Sequence, residues 1–258
     1  MDKQDTSLAV EEGDSEPVKQ VWGAWATVGF GLAIGTAFLL TTLLVIIIFS
    51  VVNFTSNAAH SFLQLTKNLV NSEGLLLSLS SIVSTVVCFS LIIIIVKARR
   101  GATITEYLGL RPISKKTALK WLAITAGLVI LSDGLSLMFQ RPVDAGMLHI
   151  YKTSISPALL WVALVVFAPI IEETFFRSFL FEGFRQSRIG LVGTIILAAL
   201  MWSLLHLSYG VFEVAVIFIG GILLGEARFK TGSLLTPVLM HAFWNLIAMI
   251  ELVAIVAR

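Results

Sequence analysis

Long apolar stretches without a charged residue constrain this chain more than any other feature. Five such stretches cover residues 20–66, 74–96, 153–171, 189–212 and 231–250, and weaker ones cover 117–139 and 213–227. A membrane-spanning helix needs about 20 largely apolar residues, so these segments use more than half of the chain. The pattern predicts an all-α polytopic membrane protein, a bundle of seven transmembrane helices.

The first stretch is too long for one straight span. We place its helix at about Trp25 to Val52 and interpret residues 53–73, which include several polar side chains, as an interfacial or loop segment. An eighth helix in that segment is the alternative.

The composition excludes several other classes of protein. Of the 258 residues, 57% are apolar and 13% charged, whereas soluble domains average about 45–50% apolar and about 25% charged. A net charge of +2 gives no surplus for nucleic-acid binding, and the single cysteine, Cys88, cannot form an intrachain disulfide. We expect three regions: a disordered acidic tail (1–21), amino-terminal transmembrane helices with a basic loop (22–152) and a carboxyl-terminal helical region (153–258).

The distribution of lysine and arginine predicts the orientation. A cluster of seven basic residues between Lys97 and Lys120 should stay in the cytoplasm. Alternating spans then put 14 basic residues inside and four outside, with the amino terminus inside. We expect the protein in the plasma membrane of a prokaryote.

Ionisable residues inside spans are candidates for function, because each costs at least about 2.5–3.5 kcal/mol on insertion scales. Glu172, Glu173 and Arg177 lie in one apolar segment. Glu173 and Arg177 are one helical turn apart, with the acid first, which favours an ion pair. Glu172 lies about 100° around the helix and is free to face a cavity or another helix.

Two further helices carry polar pairs at the same four-residue spacing. Trp202 and His206 share one helical face, and His241 and Asn245 share another. Each residue alone is explained by a structural polar network between membrane helices. The whole set, with the two glutamates, predicts a functional site.

Two kinds of chemistry fit this set. In the first, Glu172 and His206 remove a proton from water, while His241 and Asn245 stabilise the oxyanion formed on a carbonyl. In the second, Glu172, His206 and His241 ligate zinc. The HExxH motif is absent and asparagine is a poor zinc ligand. The cofactor prediction is therefore none or zinc.

The three motifs in order resemble the CPBP family, the intramembrane proteases grouped as CAAX proteases and bacteriocin-processing or self-immunity (Abi) proteins. The strings are Glu172-Glu173-Thr-Phe-Phe-Arg177, Trp202-Ser-Leu-Leu-His206 and His241-Ala-Phe-Trp-Asn245. The resemblance covers roughly residues 155–250, with LGLRPIS at 108–114 and TGSLLTP at 231–237 also similar to family connectors.

The resemblance implies a hydrolase that cleaves peptide bonds at or within the bilayer, with a membrane-embedded or lipidated protein as substrate. Transferred to the matching positions, the family's roles imply that Glu172 activates water and that His206 assists it. They also imply that His241 and Asn245 stabilise the oxyanion. Glu173 and Arg177 would hold the Glu172 carboxylate in place. Trp202 departs from the pattern, since the family usually has phenylalanine there.

The sequence leaves two other functions open. One is a catalytically silent scaffold or bacteriocin-immunity protein of the same fold. The other is a proton-coupled carrier that uses Glu172 and Glu173, which the lack of paired broken helices disfavours. Depths in the bilayer, estimated from the helical rise per residue, place His206 nearer the outer face than Glu172 and His241. How these residues meet is therefore left open by the sequence.

Overall fold

The protein folds into helices joined by short connections. The computed structural model describes residues 21–56, 61–141 and 144–257, so the predicted tail lies outside the described residues except for Val21. The helices are α1 (Ala24–Thr55), α2 (Phe62–Val70), α3 (Glu73–Ala98), α4 (Ile104–Leu108), α5 (Lys115–Met138), α6 (Ala145–Lys152), α7 (Pro157–Arg185), α8 (Gly190–Leu204), α9 (Val211–Thr231) and α10 (Leu235–Val256). These residues contain no strand, which confirms the predicted all-α membrane fold.

All seven predicted spans correspond to helices. In the described ranges, five of them, α1, α3, α5, α7 and α10, are long and apolar enough to cross a membrane. Helix α8 is apolar but has only 15 residues, and α9 has 21 residues with charged groups near both ends. Within the predicted interfacial segment, α2 is a short helix of nine residues.

Contacts between connections sort the helix ends into two groups. We call the end of the bundle that contains Arg99 the basic end. There the Arg99 side chain donates to the carbonyl of Val21 (3.1 Å), and the backbone N–H of Leu234 donates to the carbonyl of Gly109 (2.8 Å). At the opposite end, the amide of Gly74 donates to the Thr153 hydroxyl (3.0 Å). This grouping agrees with the predicted alternation of the spans, while the sidedness stays a prediction.

A hairpin of α8 and α9 packs tightly, both internally and against α10, because two adjacent glycines remove side-chain bulk. A Cβ on Gly221 would lie 2.9 Å from the Cβ of Ala199 on α8. A Cβ on Gly220 would lie 2.1 Å from the indole of Trp244 on α10. Small residues allow this close approach of membrane helices.

Helix α7 is interrupted by two π-helical turns, Ala163–Phe167 and Thr174–Leu180. Pro169 follows the first turn and has no N–H to donate, so a regular α-helix cannot continue through it. π-Helical turns inside α-helices occur frequently at functional sites. Here the two turns flank Glu172 and Glu173.

Candidate active site

The two glutamates of α7 occupy different environments. Glu173 is fully buried, and its Oε1 accepts from Arg177 Nη1 at 3.2 Å, which is the predicted ion pair. The side chain of Glu172 is 26% exposed, and its Oε2 accepts from the indole N–H of Trp202 at 2.5 Å. Of the two carboxylates, Glu172 is therefore the one that a water molecule or a substrate can reach.

Arg177 is enclosed completely. Its Nη2 donates to the carbonyl of Gly221 at 3.3 Å, and its guanidinium carbon lies 4.6 Å from the centre of the Trp202 ring. The pair of Glu173 and Arg177 thus ties α7 to α8 and α9. Such burial is tolerated because each charge has a partner in the low-dielectric interior.

His241 connects both glutamates to α10. Its Nδ1 lies 2.8 Å from Glu173 Oε1 and its Nε2 lies 4.0 Å from Glu172 Oε2. A carboxylate only accepts, so the short contact places a proton on Nδ1. The longer separation exceeds a direct hydrogen bond and is suited to a bridging group.

The contacts of the two glutamates differ from those that the family resemblance implies. Glu172 accepts from Trp202, whereas Glu173 contacts Arg177 and His241 rather than the Glu172 carboxylate. The tryptophan that stands in place of the usual phenylalanine thus supplies a hydrogen bond that phenylalanine cannot make.

The predicted helix through residue 212 is wrong at its end, because α8 stops at Leu204 and His206 lies in the following turn. His206 Nδ1 contacts the carbonyl of Trp202 at 2.9 Å. If the α-helix continued, this carbonyl would accept the backbone N–H of His206 instead. A carbonyl accepts only, so this contact puts the proton on Nδ1 and leaves Nε2 as the basic nitrogen of the neutral ring.

Aromatic contacts fix both imidazoles. The Trp202 ring centre lies 5.4 Å from that of His206 and 5.1 Å from that of His241, both in edge-to-face geometry. The Tyr209 ring stacks on the imidazole of His206, with the two ring centres 5.9 Å apart. Burial, with smaller effects of Asp144 and Glu172, raises the pKa of Tyr209 to about 12, so the phenol stays neutral.

The structure brings His206 and His241 close to one side chain in spite of their different estimated depths. The Trp202 ring lies against both imidazoles. Residues at the start of α10, among them Ser233, Leu234 and Thr236, are buried in the protein. Counting residues from the predicted span ends therefore misplaced α8 and α10 relative to each other.

The observed hydrogen bond of Asn245 leads away from the two carboxylates. Its Nδ2 donates to the carbonyl of Leu164 at 2.8 Å. This carbonyl lacks a helical donor, because the N–H of Ala168 bonds to Ala163 and the next residue is Pro169. Membrane proteins satisfy carbonyls freed by proline with neighbouring polar side chains. The second N–H of the amide remains for the predicted oxyanion role.

Replacing Asn245 by leucine should therefore destabilise the protein by about 1–3 kcal/mol, the cost of leaving a buried polar group unsatisfied. Chemical unfolding of the purified protein in detergent measures this loss. Asn71→Leu is the matched control, since the Asn71 side chain is exposed at the end of α2. An equal loss in both variants would contradict this account of Asn245.

The zinc alternative requires Glu172, His206 and His241 as ligands. Across the described ranges, no group of three or more histidine, cysteine, aspartate or glutamate side chains is arranged to hold a metal ion. The Nδ1 atoms of His206 and His241 and the Oε2 of Glu172 each have a partner within the protein. The zinc alternative with Glu172, His206 and His241 stays a prediction.

Four features of the site were missed by sequence reasoning. They are the stacking of Tyr209 on His206, the indole bond to Glu172, the bond of His241 to Glu173 and the open carbonyl of Leu164. Only the last had a sequence signal, since Pro169 stands three residues before Glu172. The others depend on packing between helices that are distant in sequence.

Comparison with known proteins supports the family resemblance over the same segment. Residues 154–247 match the family described as type II CAAX prenyl endopeptidase Rce1-like. This match confirms the resemblance to the CPBP family that the three motifs indicate. Those residues contain all the glutamate, histidine, tryptophan and asparagine positions of the candidate site.

Two curated relatives are similar over part of the chain. An uncharacterized 24.3 kDa protein of Escherichia coli is 31% identical over 125 residues, 46% of this chain and 54% of the relative. An uncharacterized protein of Mycoplasma capricolum is 35% identical over 99 residues, 37% of this chain and 28% of the relative. The chain thus spans about half of the first relative and about a quarter of the second. No solved structure matches the chain.

Proposed function

With residues 154–247 matching the Rce1-like family of type II CAAX prenyl endopeptidases, we propose that this integral membrane protein is an intramembrane endopeptidase that hydrolyses peptide bonds at or within the bilayer. The observation that carries the proposal is the environment of Glu172. This carboxylate is reachable, is oriented by the Trp202 indole and faces His241 Nε2 across 4.0 Å.

In the proposed reaction, Glu172 takes a proton from a water molecule as the water oxygen attacks the scissile carbonyl. His206 assists through Nε2, which the contact of Nδ1 with the Trp202 carbonyl keeps free. The carboxylic acid of Glu172 then returns the proton to the leaving amine when the carbon–nitrogen bond breaks. The products are two peptides, one with a new carboxylate and one with a new amine.

His241 and Asn245 stabilise the oxyanion in this proposal. The Nδ1–H of His241 donates to Glu173, so Nε2 can donate to the oxyanion only when the imidazole carries a second proton. Asn245 lies one helical turn further along α10 and retains one N–H beyond its bond to Leu164. Donors held in a water-poor site before the reaction are effective because they need no reorganisation.

We propose a membrane-embedded or lipidated protein as the substrate and a mechanism without metal. The test is cleavage of membrane-anchored and prenylated reporter peptides by the purified protein in detergent, with Glu172→Gln beside the wild type. Cleavage by the wild type alone supports the proposal. Binding of the reporters without cleavage by the wild type would reject it in favour of a scaffold or immunity protein.

Chelation distinguishes the two chemistries. If Glu172 activates water directly, prolonged treatment with a zinc chelator should change the cleavage rate by less than about twofold, whereas removal of a catalytic zinc would remove the activated water altogether. Restoration of lost activity by added zinc would establish the metal alternative. A chelator analogue that cannot bind metal serves as the control.

A further inference from the structure

A cavity at the basic end has no place in the proposed peptidase reaction. It has a volume of about 240 Å³ and lies between the start of α5 and the end of α9. Its lining residues are Lys116, Thr117, Lys120, Trp121, Lys230 and Thr231. We name it the lysine cavity.

The lysine cavity concentrates positive charge. Lys116 and Lys120 are one turn apart on α5, so two like charges share one helical face, an arrangement that is unfavourable without a counter-charge. Lys230 pairs with Glu226 at 2.8 Å, while neither α5 lysine has a carboxylate within salt-bridge distance in the described part of the chain. Arg111 adds a further cation beside Gly232, which follows the lining residue Thr231.

The other walls suit a small anion next to an apolar group. Trp121 is 6% exposed and packs in the hydrophobic core, so the cavity has a fixed aromatic wall. The Thr231 hydroxyl donates to the Ala227 carbonyl and the Thr117 hydroxyl pairs with that of Ser114. The ammonium groups of Lys116 and Lys120 are therefore the lining donors available to an anion. Ammonium groups donate charge-assisted hydrogen bonds to phosphate oxygens.

The position of the lysine cavity indicates where such an anion comes from. Helix α5 is long and apolar enough to cross a membrane and begins at Lys115, so the cavity lies where a span meets the aqueous phase. Lipid phosphates occupy this level of a bilayer, and basic pockets between transmembrane helices bind anionic headgroups. The same chemistry would accept a soluble phosphate.

We propose that the lysine cavity is a binding site for a phosphate group, supplied by an anionic phospholipid headgroup or by soluble phosphate. The site is separate from the candidate active site and does not depend on the proposed peptidase function. Its ligand contacts the ammonium groups of Lys116, Lys120 and Lys230, and screening by salt weakens the contact.

The test is the thermal unfolding of the purified full-length protein in a neutral detergent, titrated separately with dihexanoylphosphatidylglycerol, dihexanoylphosphatidylcholine and inorganic phosphate. We expect a saturable rise in Tm with the anionic lipid. In Lys116→Gln/Lys120→Gln, the midpoint should move to about tenfold higher concentration, because two charge-assisted contacts are lost. Lys116→Arg/Lys120→Arg should keep the wild-type response.

The control variant Lys97→Gln/Arg100→Gln removes two cations from the same end outside the cavity and should keep the wild-type midpoint. A response to inorganic phosphate as strong as that to the anionic lipid assigns a soluble ligand, and a response to the lipid alone assigns the headgroup. Three results would overturn the proposal: no saturable response to either phosphate probe, an equal response to the zwitterionic lipid, or an equal loss in the control variant.

Discussion

Replacing Glu172 by glutamine should lower the rate of peptide cleavage by about 10²–10⁴-fold, the usual contribution of a positioned acid–base group. Glutamine has nearly the same shape, and its carbonyl oxygen can still accept from the Trp202 indole. It cannot take a proton from water at neutral pH. The measurement is the initial rate of cleavage of a membrane-anchored reporter peptide.

The matched control for this substitution is Glu106→Gln. Glu106 lies in the first turn of α4, where the hydroxyl of the N-cap residue Thr103 donates to its carboxylate at 2.7 Å. The carbonyl oxygen of glutamine can accept the same bond, so the control should keep full activity. Retention of more than about a tenth of the wild-type rate by Glu172→Gln would show that another group activates the water.

Replacing Arg177 by methionine should produce the largest loss of stability, about 3–5 kcal/mol, because the Glu173 charge would stay buried without its cation. The pair is fully enclosed, and Arg177 also donates to Gly221 and lies over Trp202. Chemical unfolding in detergent measures the loss. The double variant Glu173→Gln/Arg177→Met should recover part of it, because no uncompensated charge remains buried.

Arg185→Met is the control for this prediction. The Arg185 side chain is 34% exposed and pairs with Glu182 at 3.0 Å. Glu182 is buried but keeps Arg228 as a second partner at 2.8 Å, so no buried charge is left unpaired and the variant should lose only about 0–1 kcal/mol. A loss of less than about 1 kcal/mol in Arg177→Met would mean that the buried charge is relieved in another way.

Hydropathy predicted the helices well because a bilayer imposes a length and an apolar composition on each span. The predicted spans at 74–96 and 117–139 correspond closely to α3 (Glu73–Ala98) and α5 (Lys115–Met138). Helix ends were less well predicted where side chains compete for backbone groups. The end of α8 is the clear case, since His206 bonds to a carbonyl of its last turn.

The candidate site could be predicted in part. The spacing of Glu173 and Arg177 indicated an ion pair, and the structure contains it. Spacing did not indicate that His241 would bond to Glu173, because that contact joins residues 68 positions apart. The buried start of α10 was also hidden, since an apolar sequence suits the protein interior as well as lipid.

The sequence by itself determined the membrane-spanning architecture, the alternation of helix directions and the residues that form the polar set. These features follow from local hydropathy, charge and helical periodicity, which are properties of neighbouring residues. The tertiary structure decided which partner each polar residue takes: Trp202 for Glu172, His241 and Arg177 for Glu173, and the Leu164 carbonyl for Asn245. The reason is that helix rotation and depth are set by packing, here by close contact at Gly220 and Gly221 and by the interruption of α7 before Pro169.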